Sequence, residues 1–349
     1  MNVAIVGYGL AGRVFHGPLI AATAGMRVGA IVTANPERQA DARRDFPEAL
    51  VLAQSEDVWD AGERFDLAVI ATPSGSHAEV ASAAIDAGIA VVVEKPMATS
   101  AAGAKLLMEH AAMREVLLMP FLNRRWDSDH LTLSSLLADG RLGTVLRYES
   151  RFERWRPTPG LGWRDSRAPE TGGGLLLDLG THLIDQALTL FGPVREVYAE
   201  ILAHRGGSDD DVFLALHHES GVLSHLWAGA LAAAPGPRLR VLGDRGAYVI
   251  THLDGQEDAL RAGRRPDQPA FADPPPDRWG RLLHGDDGEP MPSIPGRWSE
   301  FYAGARNAIR DGATPPVTAA DAIAGLAIID AARESARRRV LAVPLPTNR

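Results

Sequence analysis

The sequence predicts an α/β chain: a doubly wound parallel sheet, then an α+β domain with a mainly antiparallel sheet. Three observations predict it. Apolar runs alternate with longer amphipathic segments over the first 120 residues. A glycine-rich turn follows the first of those runs and opens a helical segment. Between Thr144 and His252, strand-like runs then succeed one another with no helical pattern between them. At roughly 150 residues per domain, 349 residues make about two. The change of texture after Pro120 divides them into 1–120 and 121–349.

Val3–Val6, Val28–Val32, Leu67–Ala71, Ile89–Val93 and Val116–Met119 are rich in Val, Ile and Leu and bounded by turn residues. Continuous apolar runs of this length fit strands buried on both faces, since a half-exposed strand alternates. Between them Ala11–Ala22, Pro36–Asp45, His77–Ala87 and Ala101–Met113 read as helices. Strand–helix alternation implies right-handed crossovers and a parallel sheet. In the second part, Arg124–Asp139 and Gly172–Leu190 read as helices. Strands follow at Thr144–Trp155, Val194–Leu202, Val212–His217, Val222–Ala228, Leu239–Leu242 and Ala247–His252. Arg264–Pro295 holds eight of the 24 prolines and reads as a long irregular loop. Helices at Trp298–Arg310 and Ala319–Arg338 close the chain.

Composition removes several function classes. Lys+Arg number 36 against 44 Asp+Glu, a net charge of −8, so no basic surface for nucleic acid or anionic membrane is expected. The absence of cysteine excludes disulfides, thiolate metal sites and cysteine nucleophiles. No stretch reaches the ~20 apolar residues of a membrane span, and the N-terminus lacks a signal-peptide pattern, so a cytoplasmic setting is expected. His217 and His218 point to opposite faces of a strand, and no cluster has metal-ligand spacing.

Gly7-Tyr8-Gly9-Leu10-Ala11-Gly12 sits where a dinucleotide cradle belongs, after a buried first strand. Gly7 allows the tight turn, Gly9 lets backbone approach a pyrophosphate, and Gly12 lets helix and strand pack closely. Leu10 and Ala11 open the helix whose N–H groups face the phosphates. Where NAD-binding chains carry an acid for the ribose 2′-hydroxyl, the second strand ends in Thr33-Ala34-Asn35. Thr33, Asn35 and Arg38 can donate to a 2′-phosphate, which favours NADP(H). With Glu37 on the ribose and Arg38 solvated, NAD(H) stays open.

Lys95, in Glu94-Lys95-Pro96, falls at the C-terminal end of a central strand, where doubly wound sheets bind ligands. Asp178 and His182 are four apart in an apolar helical pattern after Gly172-Gly173-Gly174. They are either an acid/base pair with shifted proton affinities or a surface pair supporting the helix. Asn123-Arg124-Arg125-Trp126-Asp127 at the junction is either a substrate or carboxamide contact, or a hinge packed through Trp126.

VAIVGYGLAG from Val3, ATPSGSHAEVA from Ala71, EKPMA from Glu94 and GGGLLLDLGTHLIDQ from Gly172 resemble, in order, the Gfo/Idh/MocA family of sugar and polyol oxidoreductases. NRRWD, LDLGTHLIDQ and LDGQEDALRAGR from Leu253 are similar to its NADP-dependent scyllo-inositol dehydrogenase branch. The resemblance implies a Rossmann domain, then a substrate-binding domain whose open sheet forms a homodimer or homotetramer interface. It implies a catalytic trio of Lys95, Asp178 and His182, and a cis peptide at Lys95–Pro96. Glu94, Pro96 and Asn123 would line the cofactor crevice. Thr72, Pro73, Ser74 and His77 would lie beside the nicotinamide ribose. Arg124, Arg156, Trp163 and Arg164 would contact a polyol or sugar. A cofactor-binding sensor and a redox-assisted glycoside hydrolase are the rival readings.

Overall fold

The computed structural model describes residues 1–60, 65–160, 168 and 171–344. Its first sheet holds β1 (Asn2–Val6), β2 (Arg27–Val32), β3 (Leu50–Leu52), β4 (Leu67–Ile70), β5 (Ala90–Glu94) and β6 (Leu118–Phe121). All pair in parallel, in the order β3-β2-β1-β4-β5-β6. The order reverses at β1, so a crevice opens outside the carboxyl ends of β1 and β4. The helices of this part are α1 (Gly17–Ala21), α2 (Pro36–Asp45), α3 (Glu56–Asp60), α4 (His77–Asp86) and α5 (Ala101–Met113). The central strands are buried throughout, as their unbroken apolar runs require.

After β6, a 3-10 turn (Asn123–Trp126) leads into α6 (Ser128–Ala138). The second sheet contains β7 (Val145–Glu153), β8 (Val194–Leu202), β9 (Asp211–His218), β10 (Leu223–Gly229), β11 (Leu239–Gly243), β12 (Ala247–Ile250), β13 (Gly280–His284) and β14 (Asp287–Met291). Its order is β14-β13-β12-β11-β7-β10-β9-β8, antiparallel except for β7 beside β10. α7 (Thr181–Phe191) packs on the inner face with Tyr148, Leu226 and Val212. The alternating burial of β9 and β10 leaves Phe213, His225 and Trp227 on the outer face, part-exposed and in edge-on or tilted ring contact.

The expected loop over 264–295 is corrected in part. Residues 280–291 form the β13–β14 hairpin, turning at Gly285, whose φ is +65°. Pro290 lies in β14, the edge strand, where a missing N–H breaks no ladder. α8 (Gln256–Arg261), inside the LDGQEDALRAGR stretch, was also not foreseen.

The C-terminal helices return to the first sheet. Trp298, which caps α9 (Ser299–Asp311), packs with Phe301, Tyr302 and Ala305 against Val3, Ile5, Leu67, Val69 and Val92. α10 (Ala319–Arg338) starts with a Thr318/Asp321 capping box and lies between α5, β8 and α7. Asp330 accepts from Ala101 N at 2.9 Å, and Arg333 donates to Thr99 O at 3.1 Å. α9 therefore packs on β1, β4 and β5, and α10 holds the loop that follows β5.

Candidate active site

The three glycines of the cradle have distinct tasks. Gly7 has φ +103°, and a Cβ there would lie 2.5 Å from Ala71 O. A Cβ on Gly12 would lie 2.0 Å from Gly7 O. Both are required by the protein's own packing. At Gly9 a Cβ would meet only Arg38 Nη1, at 3.8 Å. The space above Gly9 is thus open to a ligand, and a side chain would fill it, which is the fit a pyrophosphate needs. Residues Ala11–His16 form a π-turn running into α1, a local form that recurs at functional sites.

At the end of β2 the candidate 2′-phosphate contacts divide. Thr33 is buried, and its carbonyl accepts from Gln39 at 2.9 Å. Asn35 caps α2, its Oδ1 accepting from Arg38 N at 3.0 Å. Arg38 keeps an exposed side chain whose guanidinium overhangs Gly9.

Lys95 leaves β5 through a cis bond to Pro96. Its Nζ donates to Asp178 Oδ1 and to Asp178 O, both at 2.6 Å. Beneath it lies a buried relay. The Lys95 N–H donates to Glu94 Oε2 at 3.0 Å, and Glu94 Oε1 is 3.0 Å from His16 Nε2. His16 Nδ1 is 2.6 Å from the Tyr302 hydroxyl. Burial opposes the Glu94 charge, but the hydrogen bond from His16 and the nearby Lys95 ammonium hold its carboxyl below the usual range. His77, expected at the ribose, is instead buried, with its two ring nitrogens 2.8 Å from Pro96 O and Thr72 O. It braces the loop from below, its ring held between two backbone carbonyls.

Asp178 and His182 come from the segment after the glycines. Gly172 (φ +95°) packs on Ser74, where a Cβ would lie 2.9 Å from Ser74 Cβ. Gly174 (φ +93°) leaves no room for a Cβ beside Asp209. Asp209 then starts the helix, its Oδ2 accepting from Leu176 N at 2.7 Å and its backbone O from Leu175 N at 3.0 Å. Leu176–Gly180 form a second π-turn, continuing into α7. Asp178 reaches Lys95 from this turn. His182 is buried with its ring edge toward Phe152, and its Nδ1 has no hydrogen-bond partner among the described residues. Burial first, then the charges of Lys95 and Arg124, push its pKa well below the ordinary histidine value. The imidazole therefore favours its neutral form, and Lys95 is among the charges that hold it there.

Other expected residues are distributed differently. Thr72 Oγ1 accepts from Ser76 at 2.9 Å, Pro73 precedes that turn, and Ser74 is buried against Gly172. Asn123 is buried where β6 ends. Arg124 is committed to Asp127 at 3.0 Å and Glu257 at 3.3 Å, sandwiched between the Phe152 and Trp298 rings. It shapes the wall of the site. Arg156 lines a cleft of about 330 Å3 together with Arg154, Leu175, Asp178 and Asp209. Trp163 and Arg164 lie outside the described residues. Sequence reasoning missed His16, Tyr302 and Asp209. Only His16, on the helix after the cradle, carried a positional signal.

The comparisons agree with this fold. Residues 1–121 match "Oxidoreductase family, NAD-binding Rossmann fold", and 134–345 match "Oxidoreductase family, C-terminal alpha/beta domain". The chain is 37% identical over 344 residues to the scyllo-inositol 2-dehydrogenase (NADP(+)) IolW of Bacillus subtilis, covering 97% of this chain and 94% of that protein. The solved structure of yvaA from Bacillus subtilis superposes with a TM-score of 0.92 at 36% identity, covering 98% of this chain and 97% of that one. An oxidoreductase from Bacillus cereus gives a TM-score of 0.88 at 25% identity, with both chains covered completely. With a nucleotide cradle in the first sheet and both family segments in order, this chain belongs to the Gfo/Idh/MocA family of NAD(P)-dependent oxidoreductases.

Proposed function

We propose that the protein interconverts a secondary alcohol and its ketone on a cyclitol or sugar, with NADP(H) as the favoured cofactor. One observation carries the reading. Lys95 of the first sheet meets Asp178 of the second part at 2.6 Å, beside a buried neutral His182. The bound nicotinamide would accept or return a hydride at the substrate carbon. His182 takes the hydroxyl proton in oxidation and returns it in reduction. The Lys95 ammonium donates to the same oxygen as negative charge builds on it. Asp178 holds that ammonium in place and offsets its charge near His182. The overhang of Arg38 above Gly9, and the lack of an acid at the end of β2, support NADP(H). A cytosolic setting and a homodimer or homotetramer through the outer face around Phe213 and Trp227 complete the reading. Light scattering tests the assembly.

The test is the near-ultraviolet absorbance of reduced nicotinamide with NADP or NAD over a panel of inositols, hexoses and lactones. Net reduction with at least one cyclitol or sugar, faster with NADP, is the expected result. Cofactor binding without turnover of any compound would make the protein a sensor. Glycoside cleavage without net reduction would make it a redox-assisted hydrolase.

A further inference from the structure

β7 runs outward from the site, and its inner face changes chemistry as it goes. Tyr148, Ser150 and Phe152 are buried, with Phe152 against His182. The backbone stays extended beyond it, Arg154 N donating to Gly229 O at 2.9 Å and Arg156 N to Ala230 O at 2.7 Å. The period of two therefore turns Arg154 and Arg156 to the same side as Phe152, and both line the cleft, whereas Trp155 is exposed and does not.

Asp178 and Glu257 attract Arg154 from a distance, but among the described residues no acid pairs with it directly. Arg154 is half-buried, and neither its guanidinium nor that of Arg156 has a hydrogen-bond or ion-pair partner among the described residues. The neighbouring cations differ. Lys95 has Asp178, Arg124 has Asp127 and Glu257, Arg205 has Asp210, and Arg238 has Asp129. Among the described residues, the acids lining the cleft are already engaged, Asp178 by Lys95 and Asp209 by the Leu176 N–H. A substrate that expels water from around Arg154 without supplying negative charge would leave a desolvated, uncompensated cation. Burial, then the charge of Arg156, already weakens the hold of Arg154 on its proton.

We propose that the substrate carries an anionic substituent, a carboxylate or a phosphate, clamped by Arg154 and Arg156 while its alcohol carbon lies at Lys95 and His182. This rests on the oxidoreductase reading above and narrows its substrate class to acidic or phosphorylated sugars and cyclitols. A guanidinium matches either anion through paired N–H donors, so the test separates the two.

Steady-state kinetics with NADP compare scyllo-inositol and D-glucose with a carboxylate arm (D-gluconate, D-glucuronate) and a phosphate arm (glucose 6-phosphate, inositol monophosphate). The best anionic compound is expected to exceed its uncharged counterpart in kcat/KM by about tenfold or more. Arg154→Gln should reduce that ratio to near one, chiefly through KM, and Arg154→Lys should restore part of it. Calorimetric titration of the NADP-loaded protein with the same compounds reads binding independently of turnover. Anion-selective binding that Arg154→Gln abolishes, without turnover, would keep the clamp and remove the oxidoreductase reading. Uncharged compounds equalling every anion in both readouts, or Arg154→Gln weakening both classes alike, would overturn the clamp.

Discussion

His16 and Tyr302 stand 286 positions apart in the chain, yet the imidazole Nδ1 and the phenol oxygen are 2.6 Å apart. The contact ties α9 to the floor beneath Lys95. One proton assignment satisfies every group: Nε2–H donates to the ionised Glu94, and Nδ1 accepts from the Tyr302 hydroxyl. Tyr302→Phe removes the only donor, among the described residues, to a fully buried nitrogen while keeping the ring packed on Phe121 and Phe301. An unsatisfied buried acceptor costs about 1–3 kcal/mol. The urea midpoint should fall accordingly with an unchanged m-value. An unmoved midpoint would show that the relay does not contribute to stability.

Gly9 and Gly12 separate ligand binding from folding. Gly12→Ala drives a Cβ to 2.0 Å from a backbone oxygen that cannot retreat, so unfolding at a lower temperature is expected. Gly9→Ala meets nothing closer than the flexible end of Arg38 at 3.8 Å, so its melting temperature without cofactor should match wild type. Its NADP affinity should fall at least tenfold, because the methyl occupies the pyrophosphate's approach. Calorimetry on the two variants gives both readouts. Equal loss of stability in the two would contradict this division.

Five strands of the first sheet were legible because they are largely buried on both faces and so read as unbroken apolar runs, from Val3–Val6 to Val91–Val93, whereas β3, a short part-exposed edge strand, was not. The β13–β14 hairpin was not, since its outer strand, Asp-Gly-Glu-Pro-Met, has neither apolar alternation nor β-branched residues and survives only as an exposed edge. Lys95, Asp178 and His182 stood out through their motifs. Their partners did not. Asp209 acts through two backbone N–H groups far away in sequence, and Tyr302 through one hydroxyl on a helix that looks like any amphipathic segment. Contacts made by single polar atoms across the fold leave no periodicity to read. Asp254, Gln256 and Glu257 explain the LDGQEDALRAGR stretch only after folding, when they hold Ser128 N, Trp298 N and Arg124.

Lys95→Ala and His182→Ala should each lower kcat by about a hundredfold or more, the scale of acid/base and alkoxide-stabilising groups. Neither change touches the cradle around Gly9, so the NADP dissociation constant should stay within about threefold of wild type. Stopped-flow turnover paired with fluorescence titration of NADPH provides the check. Full turnover in both variants would overturn the roles proposed here.

Arg38 is the side chain at the end of β2 that is both cationic and aimed over the cradle, while Asn35 Oδ1 caps α2 and Thr33 is buried. A charge-assisted bond to a 2′-phosphate is worth about 1.5–3 kcal/mol, or roughly ten- to a hundredfold in affinity. Arg38→Ala should therefore raise KM for NADP by that factor while leaving KM for NAD nearly constant. Equal effects on both cofactors would place the 2′-phosphate elsewhere.

His130 and His182 set the response to acid. Burial pushes His130 down from 6.5 to about 4, against the attraction of Asp129, and its Nδ1 has no partner among the described residues. A depressed pKa means that the folded chain binds this proton less readily than the unfolded one. Its contribution is complete above about pH 6.5 and is lost as pH falls toward 4, by roughly 3 kcal/mol in all. His130→Gln should flatten that decline in urea midpoints measured across the window, and an equal decline in the variant would assign it to other groups. His182 acts in the same sense on rate. Because burial, Lys95 and Arg124 keep it neutral, kcat/KM for alcohol oxidation should hold level through pH 6.5 and fall only at lower pH. An acid limb at or above 6.5 would mean that His182 is not the base.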